Sequence, residues 1–247
     1  KGDHVIAVSH FIERYIKKNY SKAHQKDITV IPRGIEKDLY RRSFRPSDAW
    51  MDNWQQQLKH NADAKILTIA GRLTRWKGQL DFILILAGLR KRGVNAFGLI
   101  VGSAHKNNKA YEDELKIAAQ TYGVTPYLLF LGSRSDLMEI FSISDCAYSL
   151  AKKPEAFGRT TIEALALGTP VIGYDHGGTS EILDDVFPRG KVALNDINAV
   201  IDRTIEVLAN HPLITESHPY TVGRMELATL SLYERSTTKI LISKNVR

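Results

Sequence analysis

The stretch Lys65-Ile-Leu-Thr-Ile-Ala-Gly-Arg-Leu-Thr-Arg-Trp-Lys-Gly78 passes from a β-branched apolar segment into a loop with two glycines and three cations. Residues Lys77–Lys91 follow with apolar side chains on most sides, a pattern that predicts a helix covered on nearly every face. Lys65–Ala70 therefore reads as a strand, and strand, loop and helix together open a βαβ unit. In open α/β sheets, ligands bind beyond the carboxyl ends of the strands, where helix N-termini present unpaired N–H groups. Gly71 allows close backbone approach to such a ligand. Arg72 and Lys77 add two positive charges at the same place, which suits a diphosphate. A Gly-x-x-x-x-Gly-Lys-Ser/Thr motif is absent, so a P-loop nucleotide hydrolase is not supported.

The same alternation continues on both sides of this loop. Further strands are expected at Val5–Val8, Ile28–Ile31, Phe97–Val101, Leu128–Leu131, Cys146–Leu150, Val171–Tyr174 and Lys191–Leu194. Helical patterns fall at Ser9–Asn19, Trp50–Lys59, Tyr111–Tyr122, Asp136–Ser142, Thr160–Leu167 and Ile197–Ala209, with a final helix from Val222. Repeated β-α alternation predicts an α/β fold, a Rossmann-like parallel sheet flanked by helices on both faces. Ile31-Pro-Arg-Gly-Ile35 is a Pro/Gly elbow after a strand and reads as a domain boundary.

Composition bounds the alternatives. The chain is 43% hydrophobic and 25% charged, ordinary for a globular protein, and its longest apolar run is far too short to cross a bilayer. The chain begins with Lys1, which is expected if a preceding segment is missing. Its one cysteine, Cys146, lies in an apolar stretch, against a disulfide scaffold and in keeping with a reducing cytosol. Residues 1–45 carry 11 Lys/Arg against 5 Asp/Glu, so most of the net +7 charge is at one end. Lys17, Lys18, Lys22, Lys26, Arg41, Arg42 and Arg45 could meet anionic lipid, although a solvated helix face explains them as simply. No nucleic-acid motif accompanies them, and no nucleic-acid partner is expected. The histidines do not cluster and no Cys-x-x-Cys or repeated Asp-x-Asp occurs, so no metal site is expected.

Two further segments carry candidate chemistry. Pro154-Glu-Ala-Phe-Gly-Arg-Thr-Thr-Ile-Glu163 follows a strand, with Gly158 marking a helix start. Glu155 lies before that helix and Glu163 on its first turns. Each carboxylate can accept from paired hydroxyls, so one could hold a sugar and the other a ribose, with phosphate between them. Taken alone, Glu163 reads rather as an ordinary acid favoured by the helix dipole, and Glu155 much less so. Tyr174-Asp-His-Gly-Gly-Thr-Ser-Glu181 also leaves a strand and opens a helix. There Gly177 and Gly178 offer another close backbone approach, and Thr179 or Ser180 is expected to cap the helix. His176 is expected to be neither base nor ligand.

Taken together, Gly-Arg-Leu-x-x-x-Lys-Gly at 71–78, the Glu pair around Phe-Gly at 155–163 and His-Gly-Gly at 176–178 form a recognisable set. They resemble the C-terminal domains of family 4 retaining glycosyltransferases, whose GT-B fold faces two Rossmann-like domains across a cleft. The resemblance extends from Val5-Ile-Ala-Val-Ser9 and Val30-Ile-Pro-Arg-Gly-Ile-Glu36 to Leu232-Tyr-Glu234. Within the family, Ile-Pro-Arg-Gly, Arg-Leu-Thr-Arg-Trp-Lys-Gly-Gln and Pro-Glu-Ala-Phe-Gly-Arg look like lipopolysaccharide core mannosyltransferases.

The resemblance implies roles for matching positions. Arg72 and Lys77 would grip the diphosphate and stabilise the leaving nucleotide's charge. Glu155 would hold the donor sugar, and Glu163 the ribose. The backbone around Phe157, Gly158 and Arg159 would meet sugar and phosphate, while Arg134 and Leu137 would line the base. Arg159 stands where the family often carries an apolar side chain. The donor implied is GDP-mannose, the acceptor a lipid-linked or lipopolysaccharide core glycan, and transfer would retain configuration without metal or other cofactor. A UDP-hexose or UDP-N-acetylhexosamine donor is the alternative within the class. A dehydrogenase is disfavoured, because no Gly-x-Gly-x-x-Gly opens a helix. A cytoplasmic enzyme, in peripheral contact with the anionic inner face of the membrane, is implied. Residues 1–27 would be the remnant of an acceptor domain and linker, 28–218 the donor domain, and 219–247 a helix crossing back to the missing part. That part would add about 150 residues. Without it, the chain is expected to bind donor weakly and not to glycosylate acceptor.

Overall fold

The computed structural model describes residues 4–21, 27–58, 63–104 and 109–245. Lys22, Lys26, Lys59 and the outermost residues of the two terminal segments lie outside the described residues. Two parallel sheets are present. β1 (His4–Ala7) pairs with β2 (Asp27–Val30), and six further strands form the main sheet. These are β3 (Lys65–Ala70), β4 (Ala96–Val101), β5 (Leu128–Gly132), β6 (Cys146–Ser149), β7 (Val171–Tyr174) and β8 (Lys191–Val192). Their order is β5-β4-β3-β6-β7-β8, all parallel. The chain winds outward from β3 in one direction, then returns to its other side with β6. The switch point, where such sheets open a crevice, therefore falls between β3 and β6.

The helices follow the apolar pattern. They are α1 (His10–Asn19), α2 (Asp48–Leu58), α3 (Gln79–Lys91), α4 (Lys109–Thr121), α5 (Leu137–Ser142), α6 (Arg159–Ala166), α7 (Gly177–Val186), α8 (Ile197–Asn210) and α9 (Val222–Asn245). α3 buries Phe82, Ile83, Ile85, Leu86 and Leu89, as its all-round apolar character requires. Phe82 packs edge-on to Tyr148 of β6 with ring centroids 5.3 Å apart, joining helix to sheet. The cysteine is fully buried in β6, where desolvation pushes its thiol up to about 12. None of the described helices is long and apolar enough to cross a membrane.

Several boundaries differ from the sequence expectation. α3 begins at Gln79, two residues late, because Gly78 has φ 79° and Arg75–Lys77 forms a 3-10 turn. A side chain at 78 would also meet the Leu150 carbonyl oxygen at 2.1 Å. α7 begins at Gly177, so Thr179 and Ser180 lie inside the helix and do not cap it. The Thr179 hydroxyl faces Ser149 instead at 3.3 Å, and Ser180 donates to Asp175. The last strand is shortened to Lys191–Val192.

The Pro/Gly elbow runs beside the residues that lead into α9. Ile35 N–H donates to the Tyr220 carbonyl at 3.0 Å, and Val222 N–H to the Ile35 carbonyl at 3.1 Å. α1 is docked on α7. Glu181 accepts from the N–H groups of His10 (2.9 Å) and Phe11 (2.6 Å), capping α1 from a distant element.

Candidate functional site

Three strand-to-helix loops converge beside the switch point, after β3, β6 and β7. Each was singled out by its glycines and charges, and the sheet order brings them together. Lys77 leaves the 3-10 turn after β3 and its Nζ reaches Glu155 Oε1 at 2.8 Å, across from the β6 loop. Both side chains are largely covered, 18% and 17% exposed, so only the rim of the pair reaches the surface. Lys77 Nζ also lies 4.7 Å from the Trp76 ring centroid, which stiffens the long side chain by a cation–π contact. Gly71 lies beneath: an added Cβ there would come within 3.7 Å of Lys77 Cδ. Arg72 is exposed on the same loop, its carbonyl held by Gln79 Nε2 at 3.0 Å.

The loop after β6 is fastened on every side. Lys152 N–H donates to the Trp76 carbonyl at 2.6 Å. The Lys152 ammonium meets Asp81 Oδ1 at 2.7 Å, and Tyr174 donates its hydroxyl to Asp81 Oδ2 at 2.7 Å. Burial first, then the Asp81 hydrogen bond and charge, hold the Tyr174 phenol far above its ordinary range. His176 precedes α7, and its Nε2 lies 2.6 Å from the Ala151 carbonyl. A carbonyl accepts only, so Nε2 carries the proton and His176 acts as a brace. Ser9 Oγ donates to the Ala156 carbonyl at 2.6 Å, so α1 touches this loop as well.

Gly177 and Gly178 bring the start of α7 into close backbone contact with the β6 loop. Gly178 N–H donates to the Glu155 carbonyl at 2.8 Å, and a Cβ at 178 would lie 2.6 Å from Phe157 Cα. The Phe157 ring is buried against Tyr220, centroids 5.6 Å apart, so only its backbone faces the loop cluster. Gly158, with φ 99°, sets the start of α6. Among the described residues, the N–H groups of Gly158, Arg159 and Thr160 have no backbone acceptor, as expected for a helix N-terminus. Glu163 lies on the second turn, 6% exposed, and accepts from Arg159 Nε at 2.7 Å.

Arg134 and Leu137 follow β5, which β4 separates from β3, placing them about 10 Å away across the sheet. Arg134 is paired with Asp136, Nε to Oδ1 at 2.8 Å, and Trp50 Nε1 donates to the same carboxylate at 2.7 Å. Arg134 above all holds the Asp136 carboxyl down at about 2. Leu137 is half-buried against the core.

A half-open cleft of about 350 Å³ lies beside Phe157, between the β1–α1 segment and α7. Its acidic lining is already committed: Glu181 to α1, Asp184 to Lys191 at 2.7 Å and Asp185 to Tyr220 at 2.6 Å. Among the described residues no group of three or more His, Cys, Asp and Glu side chains could hold a metal ion.

Sequence reasoning missed Asp81, Lys152, Tyr174 and Tyr40, whose phenol is raised by burial first and then by the Glu163 charge. A lone acid on the first turn of a largely apolar helix and the Lys-Lys pair before Pro154 were the available signals for the first two. The aromatic residues carried none.

The glycosyl transferases group 1 model matches residues 51–218, which include all three loops. The chain belongs to this family. It is 27% identical over 210 residues to the lipopolysaccharide 1,2-N-acetylglucosaminetransferase of Salmonella typhimurium, covering 80% of this chain and 52% of the relative. It is 25% identical over 198 residues to the Rhizobium meliloti lipopolysaccharide core biosynthesis mannosyltransferase LpsB, covering 79% and 55%. The chain thus spans about half the length of the curated relatives it matches. Among solved structures, a Rickettsia africae glycosyltransferase superposes with TM-score 0.78 at 22% identity, over 94% of this chain and 63% of that one. Anabaena HepE, solved with UDP and glucose, gives TM-score 0.75 at 24% identity, over 85% and 55%. These likenesses establish the Rossmann-like sheet of the GT-B fold.

Proposed function

We propose that the three-loop cluster is the donor site of a hexosyltransferase, with GDP-mannose as favoured donor and a lipopolysaccharide core glycan as acceptor. The observation that carries it is the Lys77–Glu155 pair at 2.8 Å, beside the unpaired N–H groups that begin α6. A lysine ammonium has three donors, so Lys77 can keep Glu155 and still reach a phosphate. Arg72 and Lys77 hold the diphosphate and stabilise the charge that grows on it as the glycosidic C1–O bond breaks. The acceptor hydroxyl forms the new C1–O bond on the same face, and its proton leaves with the nucleoside diphosphate. Glu155 accepts from the sugar hydroxyls and Glu163 from the ribose. Phe157, Gly158 and Arg159 offer backbone N–H groups, with Arg134 and Leu137 towards the base. No metal is needed, since the fixed cations neutralise the diphosphate.

In this reading residues 1–27 and 219–247 serve an acceptor domain that the curated relatives' greater length accommodates, and residues 28–218 form the donor domain. The basic early segment faces an anionic lipid surface from the cytoplasmic side. A UDP-hexose or UDP-N-acetylhexosamine donor is the second reading. It is favoured by the N-acetylglucosaminetransferase relative and by the UDP-bound neighbour.

Calorimetric titration with GDP-mannose, UDP-glucose and NAD tests the proposal, with Glu163→Ala and Lys77→Ala as site variants. A nucleotide sugar is expected to bind, more weakly in both variants, and NAD is not. Binding of NAD with failure of both nucleotide sugars would overturn it.

A further inference from the structure

The chain contains several helical ion pairs at i,i+4, and one of them is built backwards. Glu13–Lys17 and Glu112–Lys116 place the acid first, the order that the helix dipole favours. Their glutamate side chains are 20% and 32% exposed. Arg159–Glu163 places the cation first, on the opening residue of α6, where the dipole opposes it. Its glutamate side chain is only 8% exposed, whereas the arginine side chain is 70% exposed. Helix stability therefore does not account for Arg159. The demand comes from Glu163, a nearly covered acidic side chain that needs a hydrogen-bonding partner to be held in one rotamer.

We infer that Arg159 is a positioning residue, whose Nε fixes the Glu163 carboxylate so that its remaining lone pairs accept both hydroxyls of a ribose. This rests on the donor-site reading above. A carboxylate offers about four acceptor directions. Arg159 takes one, at Oε1, and with a second turned to the Tyr40 hydroxyl two remain for a cis-diol. Tyr40 backs the pair from the segment after the elbow: burial raises its phenol first, the Glu163 charge raises it further and Arg159 opposes. Arg159 also offsets the Glu163 charge close to where an anionic diphosphate would lie.

The test is calorimetric binding of UDP, GDP and their 2′-deoxyribose counterparts to the unaltered chain, Arg159→Met, Arg159→Lys and Glu163→Gln. The unaltered chain is expected to prefer the ribonucleotide about tenfold, the effect of one hydrogen bond to a charged group. In Arg159→Met the preference falls towards unity, while Arg159→Lys, which retains the charge but not the fixed fork, keeps part of it. Equal weakening of ribose and deoxyribose forms in Arg159→Met, with the preference lost only in Glu163→Gln, would overturn the inference and leave the donor site standing. If no nucleotide binds the unaltered chain, or Glu163→Gln leaves the preference intact, the ribose assignment fails and the inference with it. Far-UV circular dichroism and urea midpoints matching the unaltered chain exclude misfolding as the cause.

Discussion

Glu155 and Glu163 lie on one short stretch and each is ion-paired, yet they are held by opposite means. The cation on Glu155 comes from Lys77, 78 positions earlier, and meets it because β3 and β6 are neighbours in the sheet. The cation on Glu163 comes from its own helix, four positions earlier. The first pair reports tertiary packing: whatever shifts the β6 loop against the β3 loop separates it. The second depends mainly on α6 being helical, with Tyr40 as a partner from elsewhere in the chain. A site assembled from both has one half sensitive to the fold and one half that survives modest distortion.

Substitutions should separate the two halves. The largest effect is expected from Gly178→Ala, because the new Cβ would lie 2.6 Å from Phe157 Cα and must push the Glu155 loop aside. A loss of about 3 kcal/mol is expected from urea unfolding. Nucleotide binding should weaken further through Lys77–Glu155, and the ribose preference should be kept. Loss of the ribose preference as well would show that the halves are not independent.

Lys77→Met comes next. It leaves a carboxylate that is 17% exposed without its cation, at about 2 kcal/mol of stability. Lys77→Met combined with Glu155→Gln should recover most of that, since the stranded charge is removed. Strictly additive losses in the double variant would mean the pair contributes nothing as a pair.

Asp136, at the β5 edge, sharpens the comparison with a pH signature. Its folded pKa of about 2 lies below the ordinary carboxylate value. The stabilisation is therefore complete above about pH 4 and disappears as pH falls through the folded value. Asp136→Asn should cost about 1–2 kcal/mol at neutral pH, after allowance for partial solvent screening, and nothing near the folded pKa. Urea midpoints measured across that window decide it, and a pH-independent cost would contradict the assignment. The smallest effect, about 1 kcal/mol, is expected for Tyr174→Phe, because Asp81 keeps Lys152 when the phenol is removed.

The same contrast explains what could be read from the sequence. The parallel α/β sheet was legible because strand and helix periods alternate, and Lys77, Glu155 and Glu163 because glycines and charges mark strand-to-helix loops. The resemblance to known transferases added the roles, which the geometry alone leaves open. Partners distant in sequence were not legible. Lys152 and Tyr174 meet on Asp81, and Ser9 meets Ala156 across 147 positions. Thr179 looked like a cap because its type fits, but the chain turns helical two residues sooner, and its hydroxyl is drawn to Ser149. Arg159 and Glu163 were visible at helical spacing, but the significance of their reversed order required the burial of the carboxylate.

The buried cysteine has a practical consequence. Cys146 is the only thiol in the chain, has no exposed surface and is pushed up to about 12, so it stays protonated and shielded from alkylating dyes. A cysteine introduced at exposed Leu80, on the outer face of α3 near the β3 loop, would then be the one thiol a maleimide reaches. A single fluorophore there could follow nucleotide arrival at the loop cluster without first removing any native residue.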